Sequence, residues 1–139
     1  MALETWIIDS SALHKLGLSR DLELWESRIE RGLVHVASVT LLEIGYSVRS
    51  SADYHEVFSS GIVGNLVEVS LSVEAEKTAT DIQRQMVARG HHRGVSLADL
   101  LVAAIGATKG HTVLHHDKDV DLISQVTKHP SERLRLEGE

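Results

Sequence analysis

The chain has 139 residues, 42% of them hydrophobic, with 14 Lys and Arg against 20 Asp and Glu and a formal net charge of −6. That length and apolar share suit a single domain over residues 1–139 with a real core, not a disordered chain. The negative balance argues against tight nonspecific nucleic-acid binding as the main task; the lack of cysteine excludes disulfides and thiolate metal sites; and no apolar run approaches the roughly 20 residues of a membrane span.

The opening MALETWIIDSS carries an acid where a signal peptide would carry Lys or Arg, so the expected compartment is the cytoplasm. Trp6, Ile7 and Ile8 are bulky or β-branched and predict a short buried strand that ends at Asp9. Residues from Ser10 to Arg31 are helical in character, broken near Gly17 and Ser19, and Gly32 punctuates them. LVHVASV predicts a second strand. TLLEIGYSVRS predicts a helix, with Thr40 and Glu43 spaced as a capping box. A helix from Ala52 to Ser59 stops before Gly61, and LVEVS alternates like a strand.

The next helix starts at Ser72 as N-cap, buries a stripe of Ala75, Ala79, Ile82 and Met86, and ends with Gly90 at C′. After the HHRG loop, Ser96 and Asp99 match a second capping box. Leu97, Leu100, Leu101, Ala104, Ile105 and Thr108 trace one face of a helix that Gly110 stops. Its other side, with Val102, Ala103 and Gly106, is apolar too, so the helix is expected to be buried on most sides. HTVLHH predicts a strand, DKDVDLISQVT a helix, and ERLRLEGE a short edge strand. Strands alternating with helices imply an α/β fold, a parallel sheet covered on both faces, with ligands beyond the carboxyl ends of the strands.

Asp9, Glu43 and Asp99 each lie alone in an apolar stretch with no Lys or Arg of its own, and Asp117 and Asp119 follow the apolar run TVL. Lone buried carboxylates are costly unless something positive or hydrogen-bonding meets them, and a shared divalent cation would satisfy them together. Oxygen-only ligands select hard ions such as Mg²⁺ or Mn²⁺. Asp9 and Asp117 both stand where a parallel sheet binds ligands. Each acid also has a plain structural reading: Asp9, Glu43 and Asp99 as helix caps, and Asp117, Asp119 and Asp121 as a solvated acidic first turn that suits the helix dipole.

The histidine pairs 91–92 and 115–116 lack the spacing of a zinc site, and no P-loop, dinucleotide or nucleophile-elbow motif is present. His92 and Arg93 lie shortly before Asp99 and could form a phosphate-contacting edge or simply a polar loop.

IIDSSAL, TLLEIGYSV, SLADLLVAA and TVLHHDKDVDLI, in that order and spacing, resemble the PIN-domain ribonucleases, above all the VapC-type toxins of bacterial toxin–antitoxin pairs. The resemblance implies an α/β/α sandwich with a central, mainly parallel sheet and a Mg²⁺- or Mn²⁺-dependent RNA endonuclease. Its acidic site would be Asp9, Glu43, Asp99 and Asp117, with Asp119 as a further metal ligand. A metal-activated water would leave 5′-phosphate and 3′-hydroxyl ends. It also implies a VapB-type antitoxin and a homodimer. Ser10 keeps a hydroxyl where the family more often has Thr, and His116 precedes Asp117 where a smaller or aromatic residue is common. Arg84, Arg89, His92, Arg93 and Lys118, with Ser10, are the candidates to hold RNA. Rival readings are a PIN-fold binding module that does not cut and a metal-dependent phosphatase. A hydrophobic surface for self-association or an antitoxin helix is expected between Tyr46 and Phe58, where most of the few aromatics gather.

Overall fold

Strand β1 (Trp6–Ile8) is buried along its whole length, because it lies at the centre of a five-stranded sheet. Outward on one side come β2 (Val34–Ala37) and β3 (Val67–Val69), and on the other β4 (Thr112–His115) and β5 (Ser131–Arg133). Every neighbouring pair is parallel. The computed structural model describes residues 3–139; Met1 and Ala2, the start of the segment read above against a signal peptide, lie outside the described residues.

Strand alternation sorts the core into two layers. Ile7, Ala37 and Val113 face α5 (Val73–Ala88), α6 (Leu97–Lys109) and α7 (Lys118–Thr127). Trp6, Ile8, Val34, Val36 and Leu114 face α1 (Ser10–Lys15) and α2 (Leu22–Glu30), where Trp25 and Ile29 close the second layer. The expected sandwich is therefore the observed one. The turn at Leu16–Leu18 makes the break expected near Gly17 and Ser19.

The α5 stripe is buried as its spacing predicts, and Gly90, at φ +72°, ends the helix. The Gly90 amide donates to Val87 O and the His91 amide to Met86 O, the paired bonds of a Schellman stop. In α6, Leu100 and residues 102–106 are all buried. A methyl group on Gly106 would stand 3.0 Å from His111 O and 3.1 Å from Val113 Cγ2, so this glycine lets α6 lie directly on the sheet.

Three expectations shift. Leu97 is 72% exposed: the first residue of α6, it lines an open groove with Glu76, Ala79, Thr80 and Gln83 of α5 instead of packing between the helices. Helix α3 (Ser38–Ser47) follows β2 without a linker, with Ala37 at the N-cap and no side-chain cap. Thr40 is thus the buried third residue of α3, and the Thr40–Glu43 capping box does not form. The tail strand is only Ser131–Arg133, one residue ahead of its expected start. Leu134 then plugs the core, and Leu136 makes a single antiparallel bridge to Ser19. Helix α4 (Ser51–Phe58), capped by Ser50, lies within one residue of its expected span.

Candidate active site

Asp9 leaves β1 and turns at once into α1, and its surroundings follow from that position. Its Oδ1 accepts the amide of Ala12 at 2.9 Å and the hydroxyl of Ser11 at 2.7 Å, so it does cap the helix, while its side chain stays buried at 3% exposure. Ser11 Oγ in turn accepts the amide of His116 at 2.9 Å, which ties the end of β1 to the end of β4.

Asp99 forms the expected capping box of α6. Its Oδ2 accepts the Ser96 amide at 3.2 Å, and Ser96 Oγ accepts the Asp99 amide at 3.0 Å. Asp117 is the N-cap of α7, with Oδ1 accepting the Asp119 amide at 2.9 Å. In each acid the cap engages one carboxylate oxygen, so capping and a second role are compatible.

The charges of these groups act on one another. Burial first, against the lowering effect of the Ala12 and Ser11 hydrogen bonds, and then the charges of Asp99 and Asp117 together push the Asp9 carboxyl up to about 6. Burial also raises Asp99, partly offset by Ser96, and Asp117 and Asp119 add to the rise. Asp99 and Asp117 are thus near enough to Asp9, and Asp117 and Asp119 to Asp99, for their charges to be felt. Among the described residues, no three His, Asp or Glu side chains stand together as a ready chelate.

Glu43 departs from the expectation of a buried lone acid. It is exposed, because α3 starts before Thr40 and places position 43 on its outer face. It lines a shallow groove of about 390 Å³ with Ser10, His14 and Tyr46, so it opens beside α1 and not inside the core.

Of the candidate cationic residues, Lys118 opens α7 directly after Asp117 and is exposed. His92 and Arg93 form an exposed turn with Gly94, and a methyl on Gly94 would stand 3.5 Å from Asp119 Oδ1, so this turn borders the acids. Arg84 pairs with Asp81 on its own helix at 2.9 Å, and Arg89 caps the far end of α5. Among the described residues, neither makes a hydrogen bond or ion pair to these acids.

Two residues escaped the sequence reading. Ser11 was one hydroxyl among several. His115 was half of an adjacent pair, yet β4 sends it into the core at 0% exposure while His116 stays partly open. Burial lowers the His115 pKa, offset in part by Asp121.

Residues 6–126 match the PIN domain family. The chain belongs to that family. It is similar to ribonuclease VapC2 of Mycobacterium tuberculosis (strain CDC 1551 / Oshkosh), 42% identical over 134 residues, 96% of this chain and 95% of that protein. Ribonuclease VapC51 of M. tuberculosis (strain ATCC 25618 / H37Rv) is 35% identical across 94% of this PIN-domain chain and 92% of its own. The PIN fold is shared with a DNA-bound VapBC from Salmonella typhimurium, at TM-score 0.75 and 13% identity over 94% of this chain and 98% of that one. It is also shared with VapBC-5 from M. tuberculosis, at TM-score 0.66 and 15% identity over 96% and 100%.

Proposed function

We propose that this PIN-domain chain is a metal-dependent endoribonuclease and the toxin of a toxin–antitoxin pair. The observation that carries the reading is the charge effect of Asp99 and Asp117 on the buried Asp9, with Asp9 and Asp117 just beyond the carboxyl ends of β1 and β4. The relatives named ribonuclease VapC and the fold shared with VapBC complexes support it.

The donor set fits a hard divalent ion. It is made of carboxylate oxygens, Asp9 and Asp99 are raised in pKa by burial first and then by neighbouring acids, and Asp9, Asp99 and Asp117 each commit one oxygen to a cap. Mg²⁺ keeps several waters and takes only one or two carboxylates directly, so it asks for few protein ligands. Asp9, Asp99 and Asp117 would hold Mg²⁺ or Mn²⁺, with Asp119 beside them and Glu43 at the mouth. Bound there, such an ion supplies an activated water and neutralises charge developing on the scissile phosphate.

The rest is the work of the chain's own residues. Caps on α1, α6 and α7 would hold the acids in place. The His92–Arg93 turn and Lys118 would hold phosphates, and Ser10, which lines the groove beside Glu43, would offer a hydroxyl. Arg84 and Arg89 lie farther along α5 as outer backbone contacts. Water would attack the phosphorus, the bond to the 3′ oxygen would break and that oxygen would leave as a hydroxyl, so the products would carry 5′-phosphate and 3′-hydroxyl ends.

The single domain acts in the cytoplasm as a homodimer and is silenced by a VapB-type antitoxin. Leu42 and Tyr46 are 73% and 93% exposed on α3, next to a groove of about 310 Å³ lined by Leu13, Ile44, Val48 and Val57, which suits an apolar partner helix. Purified antitoxin-free protein incubated with cellular RNA tests the proposal. Cleavage with Mg²⁺ or Mn²⁺, halted by EDTA and lost in Asp99→Asn, is expected. Intact RNA with both metals would leave a binding module in its place.

A further inference from the structure

We propose that His115 is a positioning residue for Asp117: its imidazole holds the backbone of the β4–α7 turn so that the Asp117 carboxylate faces Asp9 and Asp99. The inference rests on the proposed ion-holding role of Asp117 and adds a residue to it.

His115 is the last residue of β4 and is fully buried. The Asp117 amide donates to its Nδ1 at 3.1 Å. An imidazole nitrogen can accept an amide only when it carries no proton, so the proton of the neutral ring sits on Nε2. Nε2 faces Asp121 Oδ1 at 3.2 Å, without the alignment of a full hydrogen bond. Asp121 Oδ2 lies 3.6 Å from Arg133 Nη1, and Arg133 is the β5 residue in register with His115. One strand end, the first turn of α7 and the edge strand thus close on a single ring.

A hydrocarbon side chain could fill the same space. What the imidazole adds is an acceptor for an amide that no strand or helix bond satisfies. Buried backbone donors require partners, and here the partner dictates the direction in which residue 117 leaves the sheet. Asp117 keeps an extended backbone, φ −147° and ψ 123°, and turns its carboxylate over the start of α7. Groups that orient a metal ligand from behind commonly set its affinity.

Asparagine and glutamine separate this role from packing. The side-chain oxygen of Asn can stand where His Nδ1 stands and accept the Asp117 amide. Gln reaches only the Nε2 side. Mn²⁺ is titrated calorimetrically into the full chain and its His115→Asn and His115→Gln variants, with melting temperatures taken without metal. The proposal expects Asn to stay within about threefold of the parent affinity and Gln to lose roughly tenfold or more, although both melt lower. Equal affinities in the parent and Gln variant, or equal losses in both variants, overturn it. A ¹⁵N spectrum of the parent decides the matter even if the variants do not fold. A ring protonated at Nε2, with a through-bond ¹⁵N–¹⁵N coupling to the Asp117 amide, supports the role; a ring protonated at Nδ1 overturns it. A parent that binds no Mn²⁺ removes the ion-holding reading and this role with it. A parent that binds, beside an unaffected Gln variant, removes this role alone.

Discussion

One hydroxyl ties Asp9 to His116: Ser11 Oγ donates to Asp9 Oδ1 at 2.7 Å and accepts the His116 amide at 2.9 Å. The acid after β1 is thereby locked to the turn after β4, whose next residue is Asp117. Ser11→Ala removes both bonds and leaves a half-buried amide without its partner. It should cost about 1–2 kcal/mol in urea unfolding. The Asp9 pKa, now lowered by that hydroxyl, should rise further, as read by carboxyl ¹³C titration.

The raised Asp9 pKa fixes the sign of a pH effect. Between the unfolded value near 3.8 and the folded value of about 6, the native state binds more protons than the unfolded one, so this group's contribution falls as pH rises. Asp9→Asn keeps an oxygen for the Ala12 amide and removes the charge. In metal-free buffer it should gain on the parent as pH climbs through that window, by about 2–3 kcal/mol in all, and stay level above it. His111, held down to about 4 by burial beside His35 and Lys109, contributes the opposite slope, so the quantity to measure is the difference between variant and parent.

Gly106→Ala should be among the costliest single-methyl additions in the chain. The new Cβ would press on the His111 carbonyl, which cannot swing aside, and force α6 off the sheet. A loss of roughly 1–3 kcal/mol is expected in urea unfolding. Gly17→Ala meets nothing within 4 Å and should change little.

How much of this was legible in the sequence follows from where the information lay. The strands at Trp6–Ile8 and Thr112–His115, the α5 stripe and the Ser96–Asp99 box are set by neighbours within one or two turns, and they read correctly. The start of α3 did not, because the Thr40–Glu43 spacing matches a capping box that does not form. The start was set by β2, which runs straight into the helix. That shift moved Glu43 from an inner to an outer position. His115 was unreadable for a different reason: its partners Asp121 and Arg133 come from the following helix and strand, and only the β4–β5 register brings Arg133 beside it.

Leu42 and Tyr46 bury little of themselves in the chain, so Leu42→Ser and Tyr46→Ser should leave unfolding within about 0.5 kcal/mol of the parent. If this face receives the antitoxin, the same variants should cut RNA normally yet escape neutralisation by it. Co-purification with the antitoxin reads the loss directly.

On the proposed function, Asp9, Asp99 and Asp117 together hold a divalent ion. Calorimetric titration of Mn²⁺ into antitoxin-free protein, at a pH above the Asp9 pKa of about 6, tests it most directly when repeated with Asn at each of the three positions in turn. Saturable binding by the parent is expected, with a loss on the order of tenfold or more in every variant and each still folded. Undiminished affinity in the Asp9 and Asp99 variants would contradict it.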